Sequence, residues 1–232
     1  MFKDSEKKTL LIRIMVIMVL FVITCLTIML HQNTPSKIVK VGIVDSRIED
    51  KYLSKYDVIS VRNTVTDPTI INHGTTILSI IKQMNEAQIF YASTLDSSLK
   101  ANIDDVVKAI YWCVQNDVDI INMSFATTED NPLLRKAIQS AIEKHIIIVA
   151  SCINYYDGYS YPAMYNGVIS VSDGDFNKST ILVKRQTYAV KLLNGNVIKS
   201  SGTSCAAAYV TNQISKELAG KTSEHIMKRL KS

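Results

Sequence analysis

Two hydrophobic periods alternate along this chain. Apolar runs of strand length occur at Ile38–Val44, Val58–Val61, Gln88–Ala92, Asp119–Met123, Ile146–Ala150 and Val168–Val171. Ile146-Ile147-Ile148-Val149 has no polar alternation, the pattern of a strand covered on both faces of a parallel sheet. Between these runs, apolar residues recur every three or four positions. Ile103, Val106, Val107, Ile110 and Tyr111 mark one such face, and Asp104 and Asp105 place acids in its first turn, where the helix dipole favours them. The spacing predicts helices over Thr75–Met84, Ile103–Gln115, Pro132–Lys144, Thr203–Leu218 and Ser223–Leu230. This βαβ alternation predicts a three-layer α/β/α domain around a mainly parallel sheet. A β-hairpin turns around Leu193-Asn194-Gly195-Asn196.

One apolar stretch stands outside the alternation. No charged residue occurs from Ile14 to Leu30, and Lys3, Lys7, Lys8 and Arg13 precede it. If Arg13 snorkels to the interface, about 20 residues are available to span a bilayer. The basic flank places the N-terminus in the cytoplasm and the rest of the chain outside. The expected organisation is a cytoplasmic tail, one transmembrane helix and a polar tether in residues 1–36, then the α/β domain in residues 37–232. A cleaved signal peptide is the competing reading, but Thr27-Ile28-Met29-Leu30-His31-Gln32 offers no small-x-small site. Cys25 after Val22-Ile23-Thr24 faintly echoes a lipoprotein box, although the following residues stay apolar.

Composition narrows the function. The chain has 232 residues, 47% of them hydrophobic, which suits one well-filled domain plus the apolar N-terminal piece. The net charge of +5 includes the four basic residues of the anchor, and no basic stripe interleaves with aromatics, which argues against a nucleic-acid partner. Cys25, Cys113, Cys152 and Cys205 lack metal-ligand spacing and show no disulfide framework; they read as small buried side chains.

Candidate chemistry lies in three distant segments. An apolar run ends at Asp45 in Val41-Gly42-Ile43-Val44-Asp45-Ser46. His73 stands in Asn72-His73-Gly74-Thr75, and Ser204 in Ser201-Gly202-Thr203-Ser204-Cys205-Ala206. Acyl transfer needs these three types: a Ser to attack, a His to take its proton and an Asp to orient the His. Taken singly, Asp45 also reads as a turn or helix cap, His73 as a capping or core residue, and Ser204 as an N-cap. Their order along the chain is that of subtilisin. On these motifs, the segment from about Lys37 to Gly220 resembles the subtilisin-like serine proteases, the subtilases of peptidase family S8.

The resemblance implies a subtilisin-like peptidase domain with Ser204 as nucleophile, His73 as general base and then acid, and Asp45 orienting His73. It also implies an oxyanion donor at Asn154, after Ile148-Val149-Ala150-Ser151-Cys152-Ile153, with Tyr161-Pro162-Ala163 downstream in register. Ser124, Phe125 and Ala126, in Asn122-Met123-Ser124-Phe125-Ala126, correspond to the strand that pairs with an extended peptide and lines the specificity pocket. The implied partner is a peptide or protein substrate, with processing of a secreted peptide precursor the suggested role.

The chain departs from the family at Arg47, Thr76, Ser79, Ile153, Ala208 and Tyr209. Ile153 replaces a Gly, and a β-branched residue there is expected to be strained. The His73 helix runs on without the insertion that carries calcium in many secreted relatives, so no metal or cofactor is expected. Anchor and tether lead almost directly into the first strand, which suggests folding without a prodomain or with a separate chaperone. The rival from another class is a catalytically impaired pseudoprotease that binds peptides or a partner.

Overall fold

The computed structural model describes residues 15–24, 37–62, 72–83, 85–96, 98–154, 158–174, 181–183 and 186–230. The chain divides into two compact units, Met1–Ser36 and Lys37–Ser232. In the first, residues 15–24 form a helix (α1) whose side chains from Met15 to Ile23 are all exposed. Among the described residues no helix is long and apolar enough to cross a membrane. The expected span from Ile14 to Leu30 runs past α1 at both ends, and its outer residues, Cys25 among them, lie outside the described residues.

The second unit is a three-layer α/β/α domain. Its elements run β1 (Lys40–Ser46), α2 (Asp50–Lys55), β2 (Ile59–Arg62), α3 (Asn72–Lys82), β3 (Gln88–Leu95), α4 (Ile103–Gln115), β4 (Ile120–Met123), α5 (Pro132–Glu143), β5 (Ile147–Ser151), β6 (Ile169–Ser172) and β7 (Ile181–Leu182). The hairpin strands β8 (Tyr188–Lys191) and β9 (Val197–Ser200) follow, then α6 (Thr203–Leu218) and α7 (Ser223–Leu230). Seven parallel strands lie in the order β2-β3-β1-β4-β5-β6-β7, and β8 pairs with β9 antiparallel.

Alternate side chains of the central strands feed two cores. Val41, Ile43, Ile89, Ile120, Ile147 and Val149 pack on one face with Ile77, Leu78 and Ile81 of α3 and the Cys205–Ala208 run of α6. Val44, Ala92, Ile121, Met123, Ile148 and Ala150 pack on the other with Val106 and Ile110 of α4 and Leu134 and Ile138 of α5. Each fully buried Ile or Leu contributes about 1.5–3 kcal/mol, so the sheet is a rigid platform. The chain leaves β1 toward β2 and β3 on one side and reaches β4 on the other. The reversal falls at the carboxyl ends of β1 and β4, where open parallel sheets form their crevice.

Candidate active site

Asp45 lies near the carboxyl end of β1, fully buried. The β1–β4 register pairs Val44 with Met123, which puts Asp45 level with Ser124 one strand away; Met123 in turn pairs with Ala150. Neighbouring strands lie about 4.8 Å apart, so one edge gathers Asp45, Ser124 and Ser151.

His73 is the second residue of α3. Its Nδ1 is 2.7 Å from Asp45 Oδ1, which also accepts the Ser46 N–H at 2.6 Å. Asp45 Oδ2 is buried and has no hydrogen-bond partner among the described residues. Burial alone would lower the His73 pKa, but the Asp45 charge and its hydrogen bond together outweigh it, so the pKa stands above the ordinary value. The turn into α3 depends on close approach at Gly74. A Cβ there would lie 2.5 Å from the Ser46 carbonyl oxygen and 2.2 Å from the Tyr91 hydroxyl. Gly74 N–H donates to Ser46 Oγ at 3.0 Å, and the buried Tyr91 hydroxyl donates to Ser46 O at 2.7 Å. Ser46 and Tyr91 therefore brace the Asp45–His73 corner. Neither role has a signal in the sequence beyond the Ser that follows Asp45.

Ser204 is half-buried in the first turn of α6, where backbone N–H groups lack intrahelical acceptors. Its Oγ donates to Ser124 O at 2.8 Å, and Ser124 Oγ donates to Ser204 O at 3.1 Å. Among the described residues no hydrogen bond joins Ser204 to His73, which differs from the Ser–His pairing that the resemblance implies. The two sit on adjacent strand ends instead, His73 against Asp45 and Ser204 against Ser124. Beside Ser204, burial pushes the Cys205 thiol up, away from the reactive thiolate. Cys113, Cys152 and Cys205 are all free.

Asn154 follows β5 and is exposed. Its Oδ1 accepts from Thr203 N–H at 2.9 Å and from Thr203 Oγ1 at 3.1 Å. Because a backbone N–H can only donate, this bond fixes the amide's orientation and leaves Nδ2 as the outward donor. Gly202, with φ +103, makes the approach possible: a Cβ would stand 3.1 Å from Asn154 Oδ1. The strain expected at Ile153 is absent. Ile153 is not among the described non-glycine residues with positive φ, which are Asp57, Leu99, Asp117 and His145. Its N–H donates to the buried Ser160 Oγ at 3.0 Å, so ordinary backbone with a side-chain acceptor replaces whatever a glycine would do there.

Ser124 is buried, and Phe125 and Ala126 are half-buried as they leave β4. At Thr127 the chain pairs with Tyr161 in a two-bond antiparallel bridge, each N···O distance 2.8 Å. Among the described residues Phe125 and Ala126 make no backbone hydrogen bonds between these fixed points, which leaves their edge open to an extended chain. Beneath them, the Thr211 hydroxyl donates to Asn122 Oδ1 at 2.9 Å, and Asn122 Nδ2 donates to Ser124 Oγ at 2.9 Å. Among the described residues no cluster of three or more His, Cys, Asp or Glu is placed to hold a metal.

A family model described as the subtilase family matches residues 36–224. The minor extracellular protease Epr of Bacillus subtilis is 30% identical over 152 residues, covering 59% of this chain and 23% of Epr. An intracellular serine protease of Paenibacillus polymyxa is 26% identical over 230 residues, 83% of this chain and 71% of that protein. Subtilisin DY of Bacillus licheniformis is 28% identical, with 58% of its length spanned. This chain thus spans from a quarter to somewhat over two thirds of these relatives. Among solved structures, the protease domain of PatA superposes with TM-score 0.68 at 18% identity, covering 82% of this chain and 85% of that one. The prenylagaramide maturation protease PagA superposes with TM-score 0.66 at 22% identity, covering 84% and 82%. At such identities these superpositions speak for the fold alone. The family match spans most of the α/β domain and contains Asp45, His73, Asn154 and Ser204, so the chain belongs to the subtilase family.

Proposed function

We propose that this chain is a serine endopeptidase. Ser204 Oγ attacks a peptide carbonyl, and His73 takes the Ser204 proton and returns it to the leaving amine. Asp45 holds the ring and stabilises the imidazolium. Asn154 Nδ2 and the Ser204 backbone N–H receive the oxyanion, and the open edge at Ser124, Phe125 and Ala126 receives the extended substrate. The observation that carries this reading is the 2.7 Å Asp45–His73 bond beside the strand end on which Ser204 is seated. The His73 pKa is raised in the direction that helps a base accept a proton.

Anchoring by the N-terminal segment, with the peptidase domain outside the cell membrane, is part of the proposal. Its supports are the uncharged Ile14–Leu30 run, the basic residues before it and the exposed apolar surface of α1. Processing of a dedicated secreted precursor, with a separate chaperone assisting folding, is the role we assign to such a compact tethered domain.

One observation favours a second reading. The Ser204 hydroxyl donates to Ser124 O rather than to His73, an arrangement that suits a peptide-binding pseudoprotease. Cleavage of a peptide library by the full chain, compared with Ser204→Ala and His73→Ala, separates the two. The enzyme reading predicts cleavage that both substitutions abolish, with effects that do not add. Binding of peptides by folded protein without cleavage establishes the pseudoprotease.

A further inference from the structure

We propose that Thr211 is a positioning residue for Ser204, acting through Asn122 and Ser124. This rests on the reading of Ser204 as nucleophile. A threonine inside a helix usually turns its hydroxyl back to the carbonyl four residues earlier. Thr211 does not. It is completely buried, and its hydroxyl crosses to β4 to donate to Asn122 Oδ1 at 2.9 Å.

The bonds that follow all point the same way. Thr211 O–H donates to the Asn122 carbonyl oxygen, Asn122 N–H to Ser124 Oγ, and Ser124 O–H to the Ser204 carbonyl. The Thr211 donor decides which end of the Asn122 amide faces Ser124. With Nδ2 turned that way, the Ser124 oxygen must accept, and its own proton is committed to Ser204. Asn122 and Ser124 are both buried, where a low local dielectric strengthens the bonds between them.

Spacing places both contacts on one line. Ser204 and Thr211 are seven residues apart, two turns of helix and the same face, separated by about 10 Å along the axis. Asn122 of β4 and Ser124 just beyond it are two residues apart, and their 2.9 Å side-chain bond puts them on the same face. Helix α6 is therefore pinned to β4 at two levels. Its neighbour Asn212 pins it to α3: Asn212 Nδ2 lies 2.7 Å from Ile81 O, 3.0 Å from Gln83 O and 3.3 Å from Ile80 O at the end of the helix whose first turn holds His73. Displacing α6 would move the Ser204 hydroxyl relative to both Ser124 O and the His73 ring.

The test uses Thr211→Val, which keeps the shape and loses the donor, and Thr211→Ser, which keeps the hydroxyl. Active sites are counted with a fluorophosphonate, and kcat and KM are measured per titrated site on a peptide substrate. Because small misplacements of a reacting group are costly, Thr211→Val should lower kcat about tenfold with KM nearly unchanged. Thr211→Ser should restore kcat to near the wild-type value. If Thr211→Val does not fold, Thr211→Cys carries the test, and its weak donor should give a kcat below that of Thr211→Ser. Wild-type kcat per titrated site in Thr211→Val, or in the Cys variant standing in for it, makes Thr211 merely structural and overturns the proposal, as does failure of the Ser variant to rescue. A wild-type chain that neither cleaves nor takes the probe overturns the hydrolase reading and the positioning role together, an outcome distinct from an active enzyme indifferent to Thr211.

Discussion

Gly202 carries the junction between the oxyanion donor and the nucleophile helix, and its replacement by alanine tests that junction. At φ 103 and ψ 171 it occupies a region essentially reserved for glycine, where an alanine costs about 1–3 kcal/mol in backbone strain. The added Cβ also meets Asn154 Oδ1 at 3.1 Å. Asn154 is exposed and can swing into solvent, so the clash itself is cheap to relieve. The swing gives up the bonds from Thr203 N–H and Oγ1, and a typical hydrogen bond adds about 0.5–1.5 kcal/mol net. With both bonds lost, the expected loss is about 2–6 kcal/mol, read as a fall in the urea midpoint at constant m. Gly195 supplies the control. It has φ +85 with nothing within 4 Å of an added Cβ, so Gly195→Ala should cost only about 1–2 kcal/mol and leave turnover alone. Gly202→Ala should in addition lower kcat toward the level of a lost oxyanion donor, about 10²–10³. If Gly202→Ala is no more harmful than Gly195→Ala in either assay, the Asn154–Thr203 junction neither stabilises the domain nor positions the oxyanion donor.

Three further outcomes follow from the same geometry. The raised His73 pKa means that kcat/KM should climb with pH through a midpoint above the ordinary histidine value; the stability that protonated His73 gains from Asp45 is fully present below the unfolded pKa and lost as pH rises through the folded one. Asp45→Asn removes the charge and leaves burial unopposed, so the midpoint should fall, and an unchanged profile would refute the pairing. Asn212→Leu strips the donor from carbonyls at the buried end of α3 and should destabilise by about 1–3 kcal/mol in thermal melts; an unaltered Tm would show those carbonyls satisfied otherwise. Adding a chelator should leave Tm unchanged, and a drop that calcium restores would reveal a metal site.

The hydrophobic pattern made much of this fold legible. Helices α4, α6 and α7 have the bounds their periodicity predicts; Asn102 caps α4, and Gly202 stands at the N-cap position of α6. Strand β1 runs on to Ser46, beyond its apolar run, because backbone pairing with β3 continues through Asp45. The six-residue α2 and two-residue β7 escaped, being too short to show a period. At the site, motifs drew attention to Asp45, His73, Asn154 and Ser204, but no motif says where a hydroxyl points. The turn of Ser204 toward Ser124 O is set by tertiary packing. Thr211 and Asn212 carry no signal of burial in the sequence, since polar residues in a helix ordinarily lie on its wet face. They are buried because α6 is covered by the sheet on one side and by α3 on another.

The most direct measurement is the reaction of the folded full chain with a fluorophosphonate, followed by mass mapping of the labelled peptide. One label per chain is expected, carried on Ser204, absent in Ser204→Ala and strongly slowed in His73→Ala. Folded wild-type protein that takes no label, or a label that persists unchanged in Ser204→Ala, would contradict it.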